Sequence, residues 1–341
     1  MDDPQRILSR WLPDVPAAAA EPLAAGGFSG ARLWRVRWQG EAFALRRWPA
    51  GGPAADRLAA IDALQLHLAE CGLPAPRPVV RSDGAMSVFD DGSWWSLGQW
   101  LPGAADYWTN PREAKLRAAL SMLARFHLAA AAFQPGGAAR VVAPQPSPAL
   151  QRRSTRLAEL AGGGLTDLVR RVDRCPPGDE TSLAREVLQL VHRVVPRLRV
   201  ELAAHGRMPL PVQWRLGDIW HDHVLFTGDE VTGVVDFGAA SIDSPAGDVA
   251  RLMGSLAADD AAAWRVGLAA YAAVRPLSLA EQQAVRLFDS TGVVIAAVNW
   301  VDWLFLNSLP ASVPVNRQLA FERLRRLATR LQCLANQLPA G

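Results

Sequence analysis

Two carboxylates, Asp218 and Asp236, lie at either end of a short hairpin pattern in this chain. Strand-forming residues at 224–226 and 231–235 are separated by a Thr-Gly-Asp turn, which predicts two antiparallel strands. Because a hairpin folds back on itself, we expect the two carboxylates near each other at one end of it. One could accept the proton of an attacking hydroxyl while the other holds Mg²⁺ on the phosphates of a nucleotide. That division of labour is the chemistry of phosphoryl transfer.

The segment from 216 to 238 resembles the core of the aminoglycoside phosphotransferase/choline kinase-like family. The family pattern is roughly His-Gly-Asp, four residues, Asn and then Asp-Phe-Gly. The resemblance implies that Asp218 is the catalytic base and that Asp236 binds Mg²⁺. Leu216 stands where the family usually has His, and His223 stands where it has the Asn that binds a second metal. An imidazole can ligate a divalent metal, although Mg²⁺ prefers oxygen. Asp236 and His223 are therefore the candidate metal ligands, and a phosphate-binding role or no role stays open for His223.

A glycine-rich turn precedes the first strand-like segment, and its backbone amides could cover nucleotide phosphates. The candidate phosphate-binding residues of this turn are Gly26, Gly27, Ser29 and Gly30. A plain hairpin turn would use the same residues. On the next strand, Arg46 matches the basic residue that the family uses to neutralise the α- and β-phosphates. Arg offers a fixed fork of donors for this purpose, whereas an ordinary surface charge is the alternative.

The segment Gly-Gln-Trp-Leu-Pro-Gly resembles the connector between kinase lobes, where backbone groups bind adenine. The resemblance implies that Gln99 and Leu101 belong to the nucleotide site. The family also pairs its basic strand residue with a Glu on the first helix. At that place this chain has Ile61, with Asp62 and Glu70 among the nearby acids. The sequence therefore predicts no clear helix partner for Arg46.

The order of elements predicts an α+β fold. About five strands and one helix precede residue 103, and most of the chain from residue 112 onward shows helical periodicity, with 278–305 expected to form two helices. We therefore predict a two-lobed, protein-kinase-like architecture. Its N-lobe, residues 1–102, is mainly antiparallel β and carries the glycine-rich loop. Its C-lobe, residues 103–341, is mainly helical and carries the catalytic loop and the Asp-Phe-Gly hairpin.

Composition narrows the possible partners. The 341 residues carry a net charge of only +3 and no basic run on an aromatic strand, which argues against a nucleic-acid partner. Three widely spaced cysteines and an N-terminus without an apolar core predict a cytoplasmic protein. The apolar stretch 292–306 is too short to span a membrane and predicts a buried helix. The expected cofactors are ATP and Mg²⁺, and the expected partner is a small molecule with a hydroxyl.

The acceptor and two alternatives stay open. Trp300, Trp303 and Phe305 could enclose a quaternary ammonium group by cation–π contact, but the same spacing suits core packing. Choline-like, aminoglycoside-like, sugar and amino-acid alcohols are all compatible. A catalytically inactive kinase-like protein that binds a nucleotide or a partner is the main alternative function, because Leu216 and His223 depart from the family pattern and the helix Glu is absent. A second alternative uses His221 and His223 with the carboxylates as a Zn²⁺ or Fe²⁺ hydrolase site.

Overall fold

The structure is a computed structural model that describes residues 3–12, 16, 20–23, 30–134, 143–305 and 317–337. The described chain forms two compact units. The first unit comprises the described residues up to 134 together with 221–240. The second unit comprises 143–220, 241–305 and 317–337. The predicted lobe boundary at residue 102 stays a prediction.

The described chain contains short strands and longer helices in a mixed order. The strands are β1 (Ala20–Pro22), β2 (Arg32–Trp38), β3 (Glu41–Arg47), β4 (Ser87–Asp90), β5 (Ser93–Gln99), β6 (Gln145–Pro146), β7 (Pro209–Leu210), β8 (Gln213–Arg215), β9 (Val224–Thr227), β10 (Glu230–Val234) and β11 (Ser241–Asp243). The helices are α1 (Pro4–Leu8), α2 (Ala55–Glu70), α3 (Glu113–Ala132), α4 (Pro148–Glu159), α5 (Leu165–Val172), α6 (Asp179–His205), α7 (Ala246–Ala257), α8 (Ala261–Ala272), α9 (Leu279–Phe305) and α10 (Arg317–Asn336).

The first unit is built on a five-stranded antiparallel sheet with the order β1-β2-β3-β5-β4. Residues alternate between its faces, so that Val36, Leu45 and Leu97 are buried on one side with the apolar residues of α1. The β4–β5 hairpin turns at Asp91-Gly92, where both residues have positive φ, as an Asp-Gly turn of this kind requires. The same alternation turns Arg46 to the face opposite Leu45.

The predicted hairpin is present in the first unit as β9 and β10. Val224 pairs with Val234, and a bulge at residues 231–233 lets β10 accommodate one extra residue. Residues 237–239 then form a single 3-10 turn. An isolated bridge links Ala104 to Phe226, with the backbone N–H of each residue donating to the other's carbonyl. Gly103 has φ +99°, and an added Cβ there would collide with the Phe226 carbonyl, so this close approach requires glycine.

The second unit is mainly helical, and α6, α7 and α10 pack on α9. Two short strand pairs, β6–β7 and β8–β11, accompany the helices. Helix α9 begins at a capping box in which Ser278 Oγ accepts from the Glu281 N–H and Glu281 Oε2 accepts from the Ser278 N–H. The prediction of two helices over 278–305 is wrong. A single helix, α9, covers the stretch without a break, and a Cβ added at Gly292 within it would lie 3.4 Å from Arg153 Nη1.

Helix α9 is long and apolar enough to cross a membrane, with a mean hydropathy of 1.3 over its most apolar window. More than half of that window is buried inside the protein. Val294, Val298 and Val301, for example, have no exposed surface. The stretch predicted as a buried helix is therefore the core helix of the second unit. Taken together, the antiparallel sheet and the helical remainder confirm the predicted α+β class.

Candidate active site

Asp236 is the second residue after β10 and has a left-handed backbone conformation, with φ 61° and ψ 72°. Its Oδ1 accepts a hydrogen bond from the Gly238 N–H at 3.2 Å, which caps the following 3-10 turn. Arg46 Nη1 donates to the same Oδ1 at 2.9 Å. The Arg46 guanidinium lies 4.1 Å from the centre of the Trp48 ring, so cation–π stacking fixes its orientation. Sheet alternation and the hairpin thus bring two of the predicted site residues together.

His223 lies beside the same carboxylate. Its backbone carbonyl accepts from the Val235 N–H, which joins the start of β9 to the residue before Asp236. The His223 Nε2 atom is 3.7 Å from Asp236 Oδ2. This separation is too long for a hydrogen bond. Two ligands of one Mg²⁺, each at about 2.1 Å, can be separated by up to roughly 4.2 Å. That limit applies to ligands on opposite sides of the ion, whereas adjacent ligands of an octahedral Mg²⁺ lie roughly 3 Å apart. Asp236 and His223 are ligand types that bind divalent cations, and they would have to move slightly to share one Mg²⁺.

The ionisation of Asp236 suits this role. Burial alone would raise the pKa of its carboxyl, but the charges of Arg46 and His223 and the hydrogen bonds from Arg46 and Gly238 outweigh burial. The pKa therefore lies below its ordinary value. An ionised carboxylate is a pure hydrogen-bond acceptor and the hard oxygen ligand that Mg²⁺ prefers. Asp236 is thus an anion at neutral pH without any bound cation.

Helix α2 does not supply the acidic partner that the family has for its basic strand residue. Ile61 is fully buried, and Asp62 Oδ2 accepts from Ser87 Oγ at 2.5 Å. Sequence reasoning missed Arg57, whose Nη2 donates to the Gly238 carbonyl at 3.0 Å. A cation of α2 therefore contacts the Asp-Phe-Gly turn, while Arg46 pairs directly with the candidate metal ligand. No signal around Arg57 in the sequence points to this contact.

Asp218 belongs to the second unit and follows a firmly anchored loop. Buried Asp248 accepts from the Leu216 N–H at 2.6 Å, from the Gly217 N–H at 2.9 Å and from Arg215 Nη1 at 3.1 Å. Gly217 has φ +85°, a conformation that favours glycine. Leu216, in the usual place of His, is buried. The loop that carries Asp218 is therefore held by its backbone and by Asp248.

Arg251 on α7 contacts the candidate base, and sequence reasoning did not anticipate it. Its Nε and Nη2 atoms lie 3.1 and 3.0 Å from Asp218 Oδ1. Both side chains are about half exposed, at 46% for Arg251 and 50% for Asp218. Arg251 also lies 5.7 Å from the centre of the Trp220 ring. A lone Arg on a helix has no sequence signature that would link it to a base 33 residues earlier.

The predicted aromatic enclosure is arranged differently from a cage. Trp300 and Trp303 meet edge to face at 5.1 Å, whereas Phe305 packs against Phe321 at 5.8 Å. The Arg323 guanidinium lies 4.2 Å from the Trp220 ring centre and 5.6 Å from that of Trp300. We call Arg251, Arg323, Trp220 and Trp300 the arginine–tryptophan cluster. An arginine therefore already lies over Trp300, which disfavours a quaternary ammonium ligand there.

The remaining nucleotide-site predictions are only partly covered by the structure. Gly26, Gly27 and Ser29 lie outside the described residues, and Gly30 has φ +71°. Gln99 is the last residue of β5, and its N–H donates to the Arg77 carbonyl at 2.8 Å. A backbone contact from Leu101 to adenine, and the roles of the other residues, stay predictions.

The alternative metal-hydrolase site finds little support. The His221 ring stacks on Trp108 with ring centres 3.3 Å apart, and its Nε2 lies 3.1 Å from Asp222 Oδ1. Within the described ranges, no group of three or more His, Cys, Asp or Glu side chains is arranged to hold a metal. His221 is therefore engaged in packing.

Comparison with known proteins decides the family. Residues 20–288 match the model of the Phosphotransferase enzyme family. The chain belongs to this family. It is 29% identical over 272 residues to the homoserine kinase of Methylocella silvestris, and the alignment covers 77% of this chain and 75% of that protein. It is also 29% identical over 273 residues to the homoserine kinase of Bradyrhizobium diazoefficiens, covering 78% and 73%.

Solved structures share the fold of this chain. The amicoumacin kinase hAmiN, solved with AMP-PNP, Ca²⁺ and Ami, superposes with a TM-score of 0.64 at 13% identity, over 97% of this chain and 94% of that one. This similarity confirms the predicted kinase-like fold. Family membership and the relatives confirm the prediction of a small-molecule kinase that moves a phosphoryl group from ATP to a hydroxyl. The inactive, partner-binding alternative gains no support from them.

Proposed function

We propose that this kinase transfers the γ-phosphoryl group of ATP to the side-chain hydroxyl of a small amino acid, homoserine or a close analogue. The observation that carries the proposal is the ionised Asp236 carboxylate, bonded to Arg46 and facing His223. The choice of acceptor follows the relatives, two of which are homoserine kinases aligned over more than 270 residues.

The nucleotide end of the site divides its tasks among three side chains. Asp236 and His223 would hold Mg²⁺, which supplies positive charge to the phosphates of the nucleotide when it is bound. Arg46, held on Trp48, would neutralise the α- and β-phosphates through its fixed fork of donors. The backbone amides of the glycine-rich turn at residues 26–30 would cover the same phosphates. These contributions are positioning and charge neutralisation, which dominate phosphoryl-transfer catalysis.

Asp218 would orient the acceptor hydroxyl and accept its proton. The anchoring of residues 216 and 217 to Asp248 fixes the backbone from which Asp218 projects. A base held this way keeps its carboxylate within reach of the hydroxyl, as general-base catalysis requires. We place the reaction in the cytoplasm, where ATP is abundant and thiols stay reduced. The three cysteines, all free thiols, are consistent with that compartment.

The test is a direct assay of the purified chain. ADP release is followed with homoserine, choline, glucose and an aminoglycoside, each with and without Mg²⁺, and the phosphorylated product is identified by mass. We expect Mg²⁺-dependent formation of phosphohomoserine and little product from the other compounds. Mg²⁺-dependent ATP binding without any product from homoserine would overturn the proposed acceptor. Absence of ATP binding with or without Mg²⁺ would overturn the nucleotide site itself.

A further inference from the structure

Asp218, the proposed base, and Arg251 form a solvent-accessible ion pair. Two nitrogens of the guanidinium, Nε and Nη2, both lie on a single oxygen of Asp218, Oδ1. The pair therefore lacks the parallel, two-oxygen geometry of the strongest Arg–carboxylate contacts. Because both side chains are about half exposed, water screens their attraction. An incoming carboxylate that matches the guanidinium fork better can replace Asp218 on Arg251.

A second arginine of the same unit, Arg153, lies near this pair. Arg153 donates from Nη1 to two uncharged oxygens, the Phe288 carbonyl at 2.5 Å and Thr291 Oγ1 at 2.7 Å. Burial first, and then the nearby charges of Arg215 and Arg251, lower the pKa of Arg153 to about 10. The charges of Asp289 and Asp243 oppose this lowering, and all three arginines belong to the second unit. The half-exposed guanidinium of Arg251 can itself attract an anionic group.

The arginine–tryptophan cluster adds an apolar surface beside the cation. Trp220 lies close to both Arg251 and Arg323. The centre of its ring is 5.7 Å from the guanidinium carbon of Arg251 and 4.2 Å from that of Arg323. The Trp300 ring also lies near Arg323, with its centre 5.6 Å from the guanidinium carbon. Short methylene groups fit against indole rings, and a carboxylate fits a guanidinium. The combination matches a small hydroxy acid whose hydroxyl and carboxylate are separated by a short carbon chain.

We propose that Arg251 determines acceptor specificity: it binds the carboxylate of the hydroxy-acid substrate and thereby leaves Asp218 to accept the proton of the hydroxyl. The inference rests on the proposed function. In the reaction, the hydroxyl oxygen forms a bond to the γ-phosphorus while the bond from that phosphorus to the β–γ bridging oxygen breaks. ADP leaves with the electron pair of that bond, and the hydroxyl proton passes to Asp218. A substrate without a carboxylate leaves Arg251 on Asp218 and keeps the base occupied.

The experiment compares R251Q and R251K with the wild type on three hydroxyl compounds. Homoserine has both carboxylate and amine, 4-hydroxybutyrate keeps only the carboxylate, and 3-aminopropan-1-ol keeps only the amine. R265Q is the matched control, because Arg265 is an exposed cation on the neighbouring helix α8. The readouts are kcat/KM for each compound and calorimetric binding of 4-hydroxybutyrate.

We expect R251Q to lower kcat/KM for the two carboxylate compounds by about 10- to 150-fold, the usual effect of a lost charge-assisted hydrogen bond. The 3-aminopropan-1-ol rate, already low, should change by less than about threefold, since that compound has no group for Arg251 to bind. R251K should fall between wild type and R251Q because Lys keeps the charge without the fork. R265Q should behave as wild type.

Equal losses on all three compounds, or no loss, would overturn the role of Arg251 while leaving the proposed function standing. Failure of the wild type to phosphorylate any compound would overturn the proposed acceptor. In that case the binding titration still decides the inference. Binding of 4-hydroxybutyrate by the wild type that is lost in R251Q supports it, and equal or absent binding in both proteins refutes it.

Discussion

Replacement of Asp62 by Asn should stabilise the protein above about pH 6 and leave catalysis unchanged. Asp62 lies on α2 with only 3% of its surface exposed, and Ser87 Oγ donates to its Oδ2. Burial raises the pKa of this carboxyl to about 6, because the Ser87 hydrogen bond only partly opposes it. The ionised form is therefore more costly in the folded protein than in the unfolded chain.

The size of the effect follows from the two pKa values. The ordinary value is 3.8 and the folded value is about 6. At 1.36 kcal/mol per pH unit, this difference corresponds to about 3 kcal/mol. Since the folded pKa is the higher one, the favourable contribution of protonated Asp62 is fully present below 3.8 and is lost as the pH rises through 6. Asn keeps the acceptor for Ser87 but adds buried N–H donors that cost about 1–3 kcal/mol, so the net gain above pH 6 is about 0–2 kcal/mol.

Urea unfolding of wild type, D62N and S87A at about pH 4 and about pH 8 measures this effect. D62N should unfold at higher urea than wild type at the higher pH, with a smaller difference at the lower one. S87A removes the bond that favours the ionised form, so its deficit should grow with pH. A midpoint shift of equal size at both pH values would refute the assignment of the effect to Asp62 ionisation. A large loss of kcat in D62N would instead show that Asp62 serves the nucleotide site.

Three further outcomes test the site. D236N should lower kcat by roughly 100-fold or more and abolish the Mg²⁺ dependence of ATP binding in calorimetry, because it removes the anionic metal ligand. E230Q, the same acid-to-amide change at an exposed position of β10, should do neither. H223N should keep Mg²⁺-dependent ATP binding within about tenfold, since the amide supplies an oxygen ligand; complete loss would show that the imidazole itself is needed. D248N should lower the free energy of unfolding by about 3–5 kcal/mol, because Arg215 would lose its buried partner. Urea titration measures this loss, and an unchanged unfolding midpoint would contradict the reasoning.

Local sequence patterns were enough to predict which face of its strand Arg46 occupies and that the β9–β10 hairpin precedes Asp236. The turn between β9 and β10 placed His223 beside Asp236, because antiparallel pairing joins the first residues of one strand to the last of the other. The two-residue period of β3 turned Arg46 away from the core, since Leu45 is fully buried. Each of these inferences depends on hydrogen-bond register over a few residues. Register of this kind is fixed by side-chain alternation and turn type.

Contacts made by helices across long sequence separations could not be predicted in the same way. Arg251 reaches Asp218 from α7, and Arg57 reaches the Gly238 carbonyl from α2. Which turn of a helix faces a given loop depends on tertiary packing, and helix periodicity alone leaves it open. The burial of Asp62 also depends on tertiary packing. Asp62 is covered only because β4 packs against α2, and the sequence of α2 alone does not indicate which of its residues this strand covers. The break predicted within 278–305 is absent, because tertiary burial of one face along the whole of α9 outweighs the weak helix propensity of its glycine.

The direct pairing of Arg46 with Asp236 gives the two oxygens of this carboxylate different tasks. Oδ1 already accepts from Arg46 and from the Gly238 N–H, whereas Oδ2 faces His223 across 3.7 Å. A cation bound between Oδ2 and His223 would leave both bonds to Oδ1 in place, and Arg46 would still have further guanidinium donors for phosphate. Where a helix Glu holds the basic residue, that residue and the metal ligand are positioned independently. In this chain they are positioned together, so a change at Arg46 should disturb metal binding as well as phosphate binding.

The test is to measure Mg²⁺ affinity in R46Q with the nucleotide analogue AMP-PNP and to compare it with that of R47Q on the same strand. Reduced affinity in R46Q alone supports the shared carboxylate, and unchanged affinity in R46Q refutes it.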